Sequence, residues 1–177
     1  TNRLFYRKNE VSTQGVSICL LLDESGSMGY AKPDDKSPAS QVLKISVLIA
    51  EALKKVPNVE LEIYSYSSCG SYSQDNFVKY LYGKNNKAIT GVANYISGNQ
   101  NYDHVAIKSA REMFIKNATN DHRLMLVISD GEPYGHDYGG SAAIEATRQE
   151  VVKTERAGVE VIQIAIESFD SESMFSN

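Results

Sequence analysis

The stretch Val16-Ser17-Ile18-Cys19-Leu20-Leu21-Leu22-Asp23-Glu24-Ser25-Gly26-Ser27 decides the fold. Residues 16–22 are almost continuously apolar, follow Gly15 and end on a loop of acids and hydroxyls. The run is too short to span a bilayer, and its lack of alternation marks a strand buried on both faces, as in a parallel sheet. The pattern recurs downstream, where the apolar residues 124–129 lead into Asp130-Gly131-Glu132-Pro133.

Working outward, residues 39–56 carry Val42, Ile45, Ile49, Leu53 and Val56 at the spacing of one helix face, and Pro57-Asn58 ends that helix. Residues 59–66 read as a second strand, 67–76 as a polar loop, 77–82 as a third strand at an edge, and 87–96 as a short helix. A Gly/Asn-rich loop then precedes a helix over 103–116, with Val105 or Ala106, Ala110, Met113 and Phe114 inward and Asp103 as N-cap or first-turn acid. Residues 141–157 form another helix with Gly158 as its stop, and 159–166 a last buried strand. Residues 3–7 read as a short strand or arm, and 169–177 as a truncated helix. The expected organisation is an N-terminal arm or strand over 1–15 and one domain over 16–177. That domain is expected to be cut short at its C-terminus, in a chain that starts at Thr1 as a piece of a longer protein. The expected fold class is α/β: a Rossmann-like three-layer sandwich with a mostly parallel central sheet, one antiparallel edge strand and helices on both faces.

Bulk composition narrows the function. A chain of 177 residues with 42% hydrophobic and 23% charged residues is an ordinary globular domain. Eighteen basic against 22 acidic residues give a net charge of −4 without any dense basic run, so no nucleic-acid footprint is present. Nor is any apolar stretch long enough for a membrane span. Two cysteines are too few for a disulfide framework. Cys19 reads as a core residue and Cys69 as part of a polar loop; free thiols favour a reducing, cytoplasmic setting, and a bridge between the two is the alternative.

The chemistry lies where the apolar strands end, since open α/β sheets bind ligands at the carboxyl ends of their strands. One loop offers Asp23, Ser25 and Ser27, another Asp130 with Glu132 nearby, and a third Asn101 and Asp103. Carboxylates converging there repel one another unless a cation binds. The donors are all hard oxygens, which select Mg²⁺, Mn²⁺ or Ca²⁺ over zinc, and few carboxylates with two hydroxyls and room for water suit Mg²⁺ best. In an extended loop, Asp23, Ser25 and Ser27 all face one side. Taken singly, Asp23 and Asp130 are ordinary loop caps, Asp103 an N-cap and Glu132 a solvated acid; the strand context turns the set into a metal site. His104, His122 and His136 lack the paired spacing of a zinc site. The loop holding Tyr134, His136 and Tyr138 reads either as a partner-contact surface or as an exposed loop without a role.

Asp23-Glu24-Ser25-Gly26-Ser27-Met28 after its strand resembles the metal-ion-dependent adhesion site of von Willebrand factor A domains. Ser129-Asp130-Gly131-Glu132 resembles that family's second acidic loop. The family's usual middle-loop Thr is missing here, and its place falls on Asn101 with Asp103 two residues on. The run Asn-x-Asp-x-x-Ala, with residues 140–148, is similar to an intracellular subgroup found in cobaltochelatase subunits and nitric-oxide-reductase activation proteins, in which an Asp replaces the Thr. The resemblance implies metal ligation by Asp23, Ser25, Ser27, Asp130 and Asp103, with Asn101 as the alternative to Asp103. It implies a non-catalytic, metal-dependent protein-binding module, an adaptor or co-chaperone whose partner completes the metal shell with a carboxylate, working beside a MoxR-like AAA+ ATPase. A Mg²⁺-dependent phosphohydrolase and an extracellular adhesin are the alternatives. The glycines of Glu24-Ser25-Gly26-Ser27-Met28-Gly29 are out of register for a nucleophile elbow, and no P-loop occurs.

Overall fold

The computed structural model describes residues 15–29, 36–69, 76–131 and 133–166. The expectations for residues 3–7, 169–177 and Glu132 lie outside them. Five strands form one sheet: β1 (Val16–Asp23), β2 (Val59–Ser68), β3 (Asn76–Tyr82), β4 (His122–Ser129) and β5 (Glu160–Ala165). Their order is β3-β2-β1-β4-β5. All neighbours are parallel except β3, which pairs antiparallel with β2 at the edge. The mixed sheet with one antiparallel edge strand is thus the one the apolar runs predict.

Three helices cover the sheet: α1 (Pro38–Leu53), α2 (Asp103–Asn117) and α3 (Gly140–Arg156). Alternate residues of β1 face opposite layers. Leu20 and Leu22 pack with Ala39, Val42 and Ala50 of α1. Cys19 and Leu21 pack with Ala106, Ile107, Ala110 and Phe114 of α2, and Val151 of α3 joins that layer. β1 is the most buried strand because it is central and covered on both faces, which explains its unbroken apolar run.

Local signals set the helix ends. Ser37 caps α1, accepting from the Ser40 N–H at 3.3 Å, with Pro38 in the first turn. Gly158, at φ +81°, follows the end of α3 in the left-handed region.

Four expectations need correction. β5 is not a buried strand: it lies at the sheet's outer edge, and apart from half-buried Val161 its residues are exposed, Ile162 and Ile164 among them. α1 stops at Leu53, leaving Val56 exposed in the turn beyond, and its buried stripe is Ala39, Val42, Ser46 and Ala50 rather than one through Ile45, which is 41% exposed. Small residues let the helix lie close on the sheet, and this outweighs the larger apolar side chains. β2 runs to Ser68, through residues read as a polar loop. Ser67 and Ser68 are buried there because the Ser67 hydroxyl donates to the Gly98 carbonyl (2.6 Å) and Ser68 Oγ accepts from the Gln100 N–H (3.1 Å). The short helix at 87–96 is one 3-10 segment, Ile89–Asn94. Cys19 is buried, Cys69 is exposed, and both are free. Cys19 is level with Glu62 in the β1–β2 register, so Cys69 lies about 23 Å further along, beyond disulfide reach.

Candidate metal centre

The strand order reverses at β1, with β2 and β3 to one side and β4 and β5 to the other. The crevice between the carboxyl ends of β1 and β4 is therefore the topological switch point, where such sheets bind ligands. Asp23 closes β1 and Ser129 closes β4, so both acidic loops open there.

Asp23 is completely buried. Its Oδ1 accepts from the Ser25 N–H at 2.6 Å and its Oδ2 from the Ser129 hydroxyl at 2.9 Å. The Ser25 and Ser27 hydroxyls lie 3.0 Å apart, and Ser27 donates to Asp130 Oδ1 at 3.0 Å. The loop is not extended past Ser25, because Gly26–Met28 winds into one 3-10 turn with Met28 buried in the core. That turn itself brings the two hydroxyls together. Ser25, Ser27 and Asp130 thus form a continuous arc of oxygens beside Asp23.

The third loop adds Asp103, buried in the first turn of α2 rather than at the N-cap, which is Tyr102. Tyr66, in β2, donates its hydroxyl to Asp103 Oδ1 at 2.8 Å. Asn101 is committed to the scaffold. Its Oδ1 accepts from the Tyr134 N–H at 3.0 Å and its amide donates to Asp23 Oδ2 at 3.4 Å, while its backbone exchanges two hydrogen bonds with Tyr134.

Electrostatics mark the cluster as short of positive charge. Burial, and then the charge of Asp103, raise the Asp23 carboxyl far above the ordinary range, against hydrogen bonds from Ser25 and Ser129. Burial also raises Asp103, with Tyr66 and Asn101 pulling down and Asp130 adding to the rise. Asp130 is raised by burial, partly offset by Ser27. Among the described residues, however, no three carboxylate, imidazole or thiol groups close into a ready-made metal cage. The two observations concern different shells: the aspartates sense one another's charge, but serine hydroxyls line part of the space between them. Such a donor set fits a hard cation that also keeps water ligands.

Several residues at the site were missed or given no role. Glu24 is fully buried and salt-bridged to Lys79 of β3 at 2.7 Å, and it accepts the Ile96 N–H at 2.9 Å. It therefore braces the loop from below. Tyr95 donates to the Asp23 carbonyl at 2.6 Å. Tyr66 and Ser129 orient the two buried aspartates. Only Ser129 had a sequence signal, its place in the Ser-Asp-Gly loop; the others depend on contacts distant in sequence.

The family model for the von Willebrand factor type A domain matches residues 17–176, and the chain belongs to this family. No curated protein matches the sequence. Among solved structures, the chain is similar to the PilB minor pilin from Streptococcus sanguinis, with 13% identity, a TM-score of 0.64, and coverage of 92% of this chain and 53% of that one. It is also similar to proximal thread matrix protein 1 from the mussel byssus, at 18% identity and TM-score 0.61, covering 86% of this chain and 38% of that one. The SpRpn10 VWA domain matches at 10% identity and TM-score 0.59, covering 89% of this chain and 77% of that one. The chain thus spans about half of the pilin and less of the byssus protein. At these identities the likeness concerns the fold alone.

Proposed function

We propose that this domain is a metal-dependent protein-binding module without catalytic activity of its own. Asp23, Ser25, Ser27, Asp103 and Asp130 are the residues that would hold the ion, with Mg²⁺ the best fit to the donors and Mn²⁺ or Ca²⁺ sharing the same chemistry. The observation that carries this reading is the arc from Ser25 through Ser27 to Asp130 beside two buried carboxylates raised by burial and by neighbouring charge. When bound, the ion supplies a coordination position that a partner's carboxylate can complete.

The chain's own residues do the rest. Ser129 and Asn101 orient Asp23, Tyr66 orients Asp103, and Glu24 with Lys79 holds the loop rigid. The Asn101-x-Asp103 run keeps a MoxR-like AAA+ ATPase, in the cytoplasm, as the first partner to test. The pilin and byssus likenesses, being of fold only, do not argue for an extracellular role.

Calorimetric titration with Mg²⁺, followed by capture of the ATPase with and without EDTA, tests the proposal. We expect Asp23→Ala to abolish metal binding and capture while the far-ultraviolet circular dichroism is retained. Capture that survives both EDTA and this substitution refutes the metal bridge, and phosphatase turnover lost in Asp23→Ala refutes the non-catalytic reading.

A further inference from the structure

Two large apolar side chains stand exposed beside the metal centre, each on a backbone that the centre itself pins. Ile96 is 69% exposed. Its N–H bonds the buried carboxylate of Glu24, the preceding Tyr95 bonds the Asp23 carbonyl, and Gly98 N–H bonds the Glu24 carbonyl at 2.7 Å. Tyr134 is 68% exposed. Its backbone makes three hydrogen bonds with Asn101, whose amide reaches Asp23. The turn after Tyr134 is held just as firmly. Gly135 and Tyr138 exchange backbone bonds at 2.6 and 3.1 Å. Gly135 also lies so flat on the Tyr102 ring that a Cβ would come within 2.2 Å of it. Tyr138 stacks on Tyr102 at 5.0 Å and meets His104 at 2.8 Å.

The segment from Ile96 to Asn101 runs along the metal loop, with Gly26 N–H bonded to the Asn99 carbonyl at 3.0 Å. Ile96 and the Asn101-paired Tyr134 therefore stand at its two ends, no more than about 22 Å apart, roughly 17 Å of extended chain plus about 5 Å across the Asn101–Tyr134 pair. Exposed apolar groups on mobile loops need no explanation, but these two are preorganised at the edges of a site that takes a carboxylate. A side chain held in place loses little freedom on binding, which is what makes an anchor effective.

We infer that the partner segment presents an acidic side chain flanked on both sides by large apolar residues. The carboxylate reaches the metal centre while the flanks pack on Ile96 and Tyr134. This inference rests on the metal-bridge reading and adds to it the chemistry of the ligand. The apolar rim supplies selectivity among acidic segments that metal coordination alone cannot distinguish.

Fluorescence anisotropy with Mg²⁺ present and two labelled peptides tests it, one with a central Glu between Leu and Phe residues, the other with the same Glu between Ser and Gly residues. The apolar-flanked peptide should bind at least tenfold more tightly. Ile96→Ser and Tyr134→Ser should each weaken it by about five- to tenfold, the loss expected from one partly buried apolar side chain. Neither should alter Mg²⁺ affinity, melting temperature or the polar peptide's binding. Equal affinities for the two peptides, or unchanged binding in both variants, overturns the inference while leaving the metal bridge standing. Binding that ignores EDTA but still depends on Ile96 and Tyr134 supports the rim and refutes the bridge. Failure of the apolar-flanked peptide to bind the Mg²⁺-loaded domain overturns the inference.

Discussion

In Asp23→Asn a buried carboxyl becomes a neutral amide of the same shape, and this isolates what the charge costs the metal-free domain. Burial and the nearby Asp103 push the Asp23 carboxyl from 3.8 up to about 7. A carboxyl whose folded value is raised costs nothing below its unfolded value, where both states are protonated. The cost grows as the pH rises from about 4 and is complete above about 7. A gap of about three units at about 1.4 kcal/mol each makes it on the order of 4 kcal/mol at pH 8. For a domain of this size that corresponds to roughly 10 °C in melting temperature. The variant keeps an oxygen for the Ser25 N–H, the Ser129 hydroxyl can turn to accept from the new amide, and the one bond given up is the long 3.4 Å contact from Asn101. In EDTA we expect Asp23→Asn to melt roughly 10 °C above the parent protein at pH 8 and level with it at pH 4. Adding Mg²⁺ at pH 8 should raise the parent's melting temperature and leave the variant's unchanged. Calorimetry at the two pH values reads all of this directly. A parent as stable as the variant in EDTA at pH 8 would show that folding does not raise the Asp23 carboxyl, and the case for a cation would lose its main support.

Three further outcomes follow from the contacts around the site. Lys79→Met leaves the Glu24 carboxylate buried without its cation and should cost about 3–5 kcal/mol in urea unfolding; adding Glu24→Gln should restore most of it, and a double variant no better than the single one would count against a charge effect. Tyr66→Phe removes the hydroxyl that stabilises ionised Asp103. Stability should fall by about 1–3 kcal/mol, and the pH at which Mg²⁺ binding is half-maximal should move upward, because the proton competes longer for Asp103. In Gly91→Ala the new Cβ would meet the Leu81 carbonyl at 2.1 Å, whereas Gly98 has open space around it. The former should lose at least about 1–3 kcal/mol, and Gly98→Ala, as the control, should unfold at nearly the parent's urea concentration.

What could be read in the sequence divides along a physical line. Residues 16–22 and 124–129 announce themselves because strands covered on both faces leave no room for polar alternation. The oxygen-rich loops after them follow from where ligands bind such sheets. Spacing also gave α2, since Ala106, Ala110 and Phe114 face the core as its period requires. The failures occur where hydrogen bonding, not hydrophobicity, does the burying. Ser67 and Ser68 look like loop residues until Gly98 and Gln100 are found to satisfy them. In the same way, nothing in its local sequence gives Glu24 a role, and only Lys79, 55 positions away, makes its burial tolerable. Tyr66 and Asp103 are 37 positions apart, and nothing local in either residue's neighbourhood points to the other.

The candidate centre is assembled from segments that the ribosome delivers far apart in time. Asp23 leaves the exit tunnel more than a hundred residues ahead of the Ser129 hydroxyl that orients it, and Ser27 as far ahead of the Asp130 carboxylate that it meets. Until β4 slides in beside β1, the loop has no second wall. A nascent chain therefore cannot display a finished site on a half-made sheet, and under the proposed function capture of a partner would certify that the centre of the domain has closed.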